Sequence, residues 1–321
     1  MSMTVDISPV GDGLKVNAAA VGFTVNAECQ SARLEVRHKV DGIMAEPEPI
    51  PVVTYTVTTD LENVTSDAPA TVEEGSPLVV TLTGTGDNRV QANSVVVTMG
   101  GVDITSSAYD HSTKTVSISS VTGFVSITAV GRPYDAEVEY LQSSGTQYID
   151  LRNKINSDTD AIDVEFVLLQ NNSGVFGARD GASSKNFSLQ VTFSSSIVVD
   201  INNGDYSTYR LDSGTSAVNK RCTVHMEKSN KKISYDGIQI ASSTTVSQSF
   251  TTTNNAYLFA VNGVTGSPSI RLYPLLWKRS GNTLLDLIPV RKDGIGYLYD
   301  KVNKQLFGNS GTSSFSYGND V

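Results

Sequence analysis

The 321-residue chain is poor in the residues that usually carry catalysis, metal binding or cross-linking: two cysteines, three histidines, one tryptophan, and only 18% charged side chains. Cys29 and Cys222 fall in what read as different domains, which argues against an intramolecular disulfide. His38, His111 and His225 are scattered over three segments with no metal-ligand spacing, which speaks against a zinc site. No Gly-x-Ser-x-Gly elbow occurs, so a nucleophilic serine triad has no support. Basic residues are outnumbered 24 to 33, for a net charge of −9, and form no dense stripe; partners rich in phosphate, nucleic acid or anionic lipid, are therefore not expected. No window approaches the roughly 18 apolar residues of a membrane-spanning helix. The start, Met1 to Pro9, lacks the basic and apolar regions of a secretory signal. The expectation is a chain without membrane insertion that leaves a cell by lysis or within a larger particle.

What is abundant is Ser, Thr, Asn, Gly and Val, the residues of strands and turns, so an all-β protein is expected. Residues 1–44 hold short alternating runs at 13–17, 22–27 and 32–40, too little to bury a core alone, and read as a small N-terminal β segment for anchoring or oligomerisation. Residues 45–52 carry Pro47, Pro49 and Pro51 at alternate positions and read as an extended linker. From 53 to 132, strand signals at 53–58, 77–82, 94–99, 115–118 and 124–130 alternate with turn signals, the rhythm of an immunoglobulin-like sandwich without its Cys-Trp-Cys signature. From 134 to 321 the runs lengthen, as at 160–169, 187–193, 197–201, 222–227, 257–261 and 270–277, and predict two large facing sheets in a sandwich or barrel.

Two stretches resemble known modules. Val97-Thr-Met-Gly-Gly-Val-Asp-Ile-Thr-Ser-Ser-Ala-Tyr109, with the run Val116 to Ala129, looks like the immunoglobulin-like modules strung along phage and gut-bacterial surface proteins. That likeness implies a spacer or weakly adhesive module without catalysis. Tyr140-Leu-Gln-Ser-Ser-Gly-Thr-Gln-Tyr-Ile-Asp150 resembles the opening of the concanavalin A-like, laminin-G-like domains of such proteins. The run Asp286 to Asp300, with Asn303 to Phe315, resembles their close. This second likeness spans nearly all of 137–318 and implies a jelly roll and, loosely, carbohydrate or surface recognition. The two phrases bracket the domain, and the first and last strands of a sandwich commonly lie side by side.

Some relatives of that fold are glycosidases with Glu-x-Asp-x-Glu on one strand, since a spacing of two presents all three carboxylates to one side. Here the nearest match is Ala161-Ile-Asp163-Val-Glu165, with the first acid replaced. Asp163 and Glu165 therefore read as solvent-facing residues opposite Ile162, Val164 and Phe166, and the expectation is no enzyme. No cofactor is expected either, calcium on Asp200, Asn202 and Asp205 being the alternative; Asn202-Asn203-Gly204-Asp205 is first of all a hairpin turn. Carbohydrate-binding candidates are Arg179 and Asp180 on a loop, Tyr206, Tyr209 and Trp277, because sugar sites pair aromatic faces with fixed polar groups. Tyr206 and Tyr209 are three apart on an expected strand, so only one can line a site; Trp277, preceded by Leu275 and Leu276, reads more readily as core. The cluster Lys228 to Lys232 reads as a solvated hairpin tip.

Together these features suggest a non-enzymatic phage virion protein, a head or tail fibre or decoration component. Residues 1–44 would meet a capsid or tail protein, and the last domain would display a lectin-like head to host-surface or mucus glycans. Such a protein is assembled in the host cytoplasm, and a homo-dimer or trimer is expected. The alternatives are a bacterial surface adhesin or extracellular glycan-binding protein and, in a different class, a glycoside hydrolase acting on capsule.

Overall fold

The computed structural model describes residues 6–10, 13–17, 39–40, 43–44 and 51–321, apart from 171–173, 182–183, 206 and 263–267. The chain divides into two compact units, Met1–Val53 and Thr54–Val321. In the first, Asp6–Val10 and Gly13–Asn17 form an antiparallel hairpin with Ile7 opposite Val16, and Lys39–Val40 pairs with Ile43–Met44. The expected 13–17 strand is therefore present. The expected run 22–27, most of 32–40, Cys29, His38, Pro47 and Pro49 lie outside the described residues.

The second unit is two successive β-sandwiches. In residues 54–132, one sheet runs Val102–Asp103, Val96–Met99, Val125–Arg132, Thr54–Glu62, Thr71–Glu73, with Arg89–Val90 added on Val125–Arg132. Facing it are Tyr109–Asp110, Thr115–Ile118, Leu78–Gly84 and Val64–Ser66. Strict alternation makes these strands: Leu78, Val80 and Leu82 are buried, while Val79, Thr81 and Thr83 point to solvent. The first strand pairs in parallel with the last, Val57 beside Val125 through Glu62 beside Val130, so the two ends of this sandwich are joined.

The larger sandwich follows. Its eleven-stranded sheet has the central order Ile238–Ser243, Asn230–Tyr235, Arg221–Glu227, Asp160–Gln170, Ser269–Arg279, Asn282–Lys292, Ile295–Asp300, Gln305–Phe307. The six-stranded sheet runs Ile149–Asn156, Thr251–Leu258, Gly174–Ala178, Asn186–Val191, Ser196–Asn202, Arg210–Ser216. Between them lies one continuous apolar core containing Phe166, Phe176, Phe187, Val199, Leu258 and Trp277. The phrases that bracket this domain in sequence are neighbours in space: Leu141 pairs with Tyr317, Gln142 with Ser316, and Val138 with Asp320. Polar residues of the opening phrase bind the closing one, as Gln147 Nε2 donates to the Ser314 carbonyl at 3.1 Å and Tyr148 N–H to Asn309 Oδ1 at 3.0 Å.

The two sandwiches are joined by ion pairs from Arg89 to Asp135 and Asp293, each 2.7 Å, and by Gln91 Nε2 donating to the Tyr134 carbonyl at 2.7 Å. One sequence expectation changes, and one carbohydrate-binding candidate takes its alternative reading as core. Residues 227–230 do form a hairpin turn, but it is not a solvated basic tip: Lys231 is fully buried. Its ammonium donates to the carbonyls of Lys228 and Thr245 at 3.1 and 2.7 Å, Lys228 pairs with Asp158, and burial lowers the Lys231 pKa. Trp277 is 0% exposed, edge-on to Phe176 at 6.0 Å, and so offers no face to a sugar.

Candidate functional site

The outer face of the six-stranded sheet carries a polar row where a purely solvated sheet would show scattered, hydrated side chains. Phe176, Leu189, Val199, Leu211 and Leu258 point into the core, so the residues beside them point out. The register then aligns Asp150, Tyr257, Gly177, Ser188, Asp200 and Arg210 across all six strands. On one side of this row Asn186 faces Asn202; on the other Gln190, Val198 and Asp212 are in register.

The middle of the face is a buried polar floor. Asn186, Ser188, Asp200 and Asn202 are each 0% exposed, whereas Gln190, Arg210, Tyr257 and Asp150 are half-buried and Asp212 is exposed. Ser188 donates to Asn186 Oδ1 at 2.8 Å, and Gln190 Nε2 reaches Ser188 Oγ at 2.7 Å and Asp200 Oδ2 at 3.3 Å. Arg210 stands 4.0 Å from Asp200 Oδ2. Asp200 Oδ1 and both amide atoms of Asn202 have no hydrogen-bond partner. Burial pushes the Asp200 carboxyl up to about 6, against the opposing charges of Arg210 and Arg179 and with added repulsion from Asp212.

Beside the floor, Gly177 occupies a place no other residue could take. Its φ is +137°, and an added Cβ would meet the Phe187 carbonyl and lie 2.6 Å from Ser188 Cα. The absence of a side chain lets the Phe187–Ser188 backbone approach Gly177 closely. Tyr257 packs edge-on against Tyr148 at 5.9 Å, and Asn255 Nδ2 holds Asp150 at 3.1 Å. An aromatic ring and a floor of unpartnered polar atoms thus share one face, three strands apart.

Of the residues expected from sequence, Arg179, Asp200 and Asn202 belong to this face or act on it. Arg179 ends the Gly174–Ala178 strand side of the floor; its N–H donates to Asn262 Oδ1 at 2.8 Å and its carbonyl accepts from Asn254 Nδ2 at 3.0 Å. Asp180 is engaged elsewhere, accepting from Thr253 N–H at 2.9 Å and Oγ1 at 2.6 Å and pairing with Lys185. Although partial burial raises its pKa, those bonds outweigh it and the net shift is downward. Tyr209 precedes the Arg210–Ser216 strand with the parity of core residue Leu211 rather than of Arg210, and Tyr206 lies outside the described residues.

Asp205, one of the calcium candidates, is taken up by its own turn, accepting from Ser207 and Thr208 at 2.5–3.2 Å. Asp200 and Asn202 alone fall far short of the six to eight oxygens calcium takes. No group of three or more His, Cys, Asp or Glu suited to a metal ion occurs among the described residues. Asn186, Ser188, Gln190, Tyr257 and Asp150 were not singled out in the sequence. Their signal was weak but present in Asn186-Phe-Ser-Leu-Gln190, where every second residue is polar on a strand whose other face is core.

On the large sheet, alternation places Ile162, Val164 and Phe166 inside and Asp163 and Glu165 outside. Asp163 accepts from His225 Nδ1 at 2.7 Å, and Glu165 pairs with Arg221 Nε. The hydrogen bond that His225 donates to Asp163 raises the His225 pKa, over the opposing effect of burial. Cys222 on the adjacent strand is a buried free thiol, which burial pushes up to about 12.

No protein-family model matches the chain, and no curated protein matches it. Among solved structures, a Bacteroides ovatus protein provisionally described as carbohydrate binding superposes with a TM-score of 0.39 at 10% identity, over 83% of this chain and 98% of that one. A likeness of that size carries no argument about what this chain binds.

Proposed function

We propose that this protein binds glycans through the outer face of its six-stranded sheet and does not transform them. The observation that carries the reading is the polar floor, where Asp200 Oδ1 and the Asn202 amide are buried without partners, on the same sheet face as the half-buried ring of Tyr257 three strands away. Each buried polar group left unpaired costs about 1–3 kcal/mol. A sugar hydroxyl both donates and accepts, so a pair of vicinal hydroxyls suits a carboxylate and an amide two residues apart on one strand face. The Tyr257 ring, about 14 Å along the row, suits the pyranose face of another unit of a longer glycan. The non-catalytic part of the reading is supported by Asp163 and Glu165, each held by a basic partner, His225 or Arg221.

The setting we propose is a virion, with residues 53–132 as an immunoglobulin-like spacer, 134–321 as a concanavalin A-like head and 1–44 as the attachment to a capsid or tail protein. This rests on the two sequence resemblances. Applying the full-length chain to a glycan array tests the binding reading: a defined set of glycans should be retained, and Asn202→Ala should lower retention at least tenfold. An array with no signal above background, or one unchanged by Asn202→Ala, refutes it. Immunolabelling of purified particles tests the setting, and absence of label removes it.

A further inference from the structure

We infer a second binding site, on the outer face of the eleven-stranded sheet, for the oxyanion of an acidic saccharide, a carboxylate or a sulfate ester. It lies on the opposite sheet from the glycan floor and does not depend on that floor binding anything. The structural basis is a cleft of about 550 Å³ lined by Glu137, Glu139, Tyr140, Arg221, Arg271 and Tyr273, among others. That size suits a small ligand or a segment of a larger one.

The cleft is organised by stacking. Arg271 lies over Tyr140 at 4.7 Å from the ring centroid, Tyr140 meets Tyr273 edge-on at 5.8 Å, and Arg221 lies over Tyr273 at 3.2 Å. Two guanidinium groups are thereby held at the ends of a pair of tyrosines. The pairing of Asp160–Gln170 with Ser269–Arg279 shifts register between Val164 and Phe166, opposite residues 273–274. Pro274, which could not donate to a regular ladder, sits in this bulge, where the local kink turns the strand at Tyr273.

The charges of the cleft are not all equivalent. Glu137 accepts from the Tyr134 hydroxyl at 3.0 Å, and Glu139 from Asn319 N–H at 3.3 Å, so both carboxylates are turned to protein partners. Arg221 is neutralised by Glu165. Arg271 is different: Nε donates to Gln142 Oε1 at 2.9 Å, and no carboxylate pairs with it among the described residues. Its four remaining N–H donors form the fork that receives an oxyanion in two parallel bonds. An arginine fixed at its Nε and its face, with its fork unpaired in a tyrosine-lined cleft, is preorganised for an anion beside a sugar ring.

Titration calorimetry on the full-length protein at low salt tests this with three probes: oligogalacturonate for the carboxylate, dextran sulfate for the sulfate ester, and neutral dextran. At least one acidic probe should bind more tightly than dextran. Arg271→Ala should weaken that binding at least tenfold, and Arg271→Lys, which keeps the charge and loses the fork, should weaken it by less. Lys232→Ala, an equal loss of charge at an exposed position of the same sheet, should leave it unchanged. The site is refuted if neither acidic probe binds, if dextran binds equally, or if Arg271→Ala and Lys232→Ala behave alike. Loss of acidic-probe binding in Asn202→Ala but not in Arg271→Ala also refutes it, and leaves the glycan floor standing.

Discussion

Replacing Asp200 by Asn should stabilise the protein at neutral pH while weakening glycan binding. The carboxyl titrates near 6 in the folded protein against 3.8 ordinarily, so the folded state holds that proton more tightly than the unfolded chain does. Above about pH 6 the folded protein therefore carries the full cost of a buried carboxylate. Two pKa units at 1.36 kcal/mol each make that cost about 3 kcal/mol. It shrinks as pH falls from about 6 to about 4 and vanishes below. An amide of the same shape has no such proton linkage, so Asp200→Asn should gain up to about 3 kcal/mol at pH 8 and nothing at pH 4. Trp277, the single tryptophan and fully buried in the core of this sandwich, reports the unfolding of this lobe by fluorescence. Urea titrations from pH 4 to pH 8 should give midpoints that nearly coincide at the acid end, separate between about pH 4 and pH 6, and stay apart by a constant amount above. A pH-independent separation, or a less stable Asp200→Asn protein at pH 8, would refute the assignment of Asp200 as a buried acid with one oxygen unpartnered. An acid kept at such a cost fits a site where stability is given up for binding.

Gly177→Ala should destabilise by about 2 kcal/mol or more, since it adds left-handed strain to a clash with the adjacent strand, and urea midpoints will show it. His225, whose pKa is raised by Asp163, adds stability that is present below about pH 6.5 and lost as pH rises through the raised value. Because Asp163 is 48% exposed the contribution should stay below about 1 kcal/mol, and stability curves of His225→Gln should lack that slope between pH 6 and 8. Trp277→Ala should cost about 3–5 kcal/mol, followed by circular dichroism, because it empties a filled core position.

Much of the fold was legible because strand alternation is a local property. Leu78 to Thr83 and Ile162 to Phe166 announce their buried faces by composition alone, and the phrases at Tyr140–Asp150 and 303–315 proved to be paired ends. The hairpin at 227–230 was also visible, but the burial of Lys231 was not, because it depends on the Thr245 carbonyl fourteen residues away. The candidate site was legible only in fragments. Arg179, Asp200 and Asn202 stood out as polar residues near turns, yet so did Asp180 and Asp205, and only the hydrogen bonds of each separate those facing the floor from those closing a loop.

The sequence by itself determined that this is an all-β chain, where its main strands run, and which side of each strand enters a core, because a period of two needs only neighbouring residues. Tertiary structure decided everything that depends on register between strands. Asp150, Tyr257, Gly177, Ser188, Asp200 and Arg210 come from six separate strands, and Tyr140, Arg221 and the pair Arg271 and Tyr273 from three distant segments. A shift of one residue in any pairing would turn a side chain from the outer face into the core, so these sites exist only once the sheets have closed.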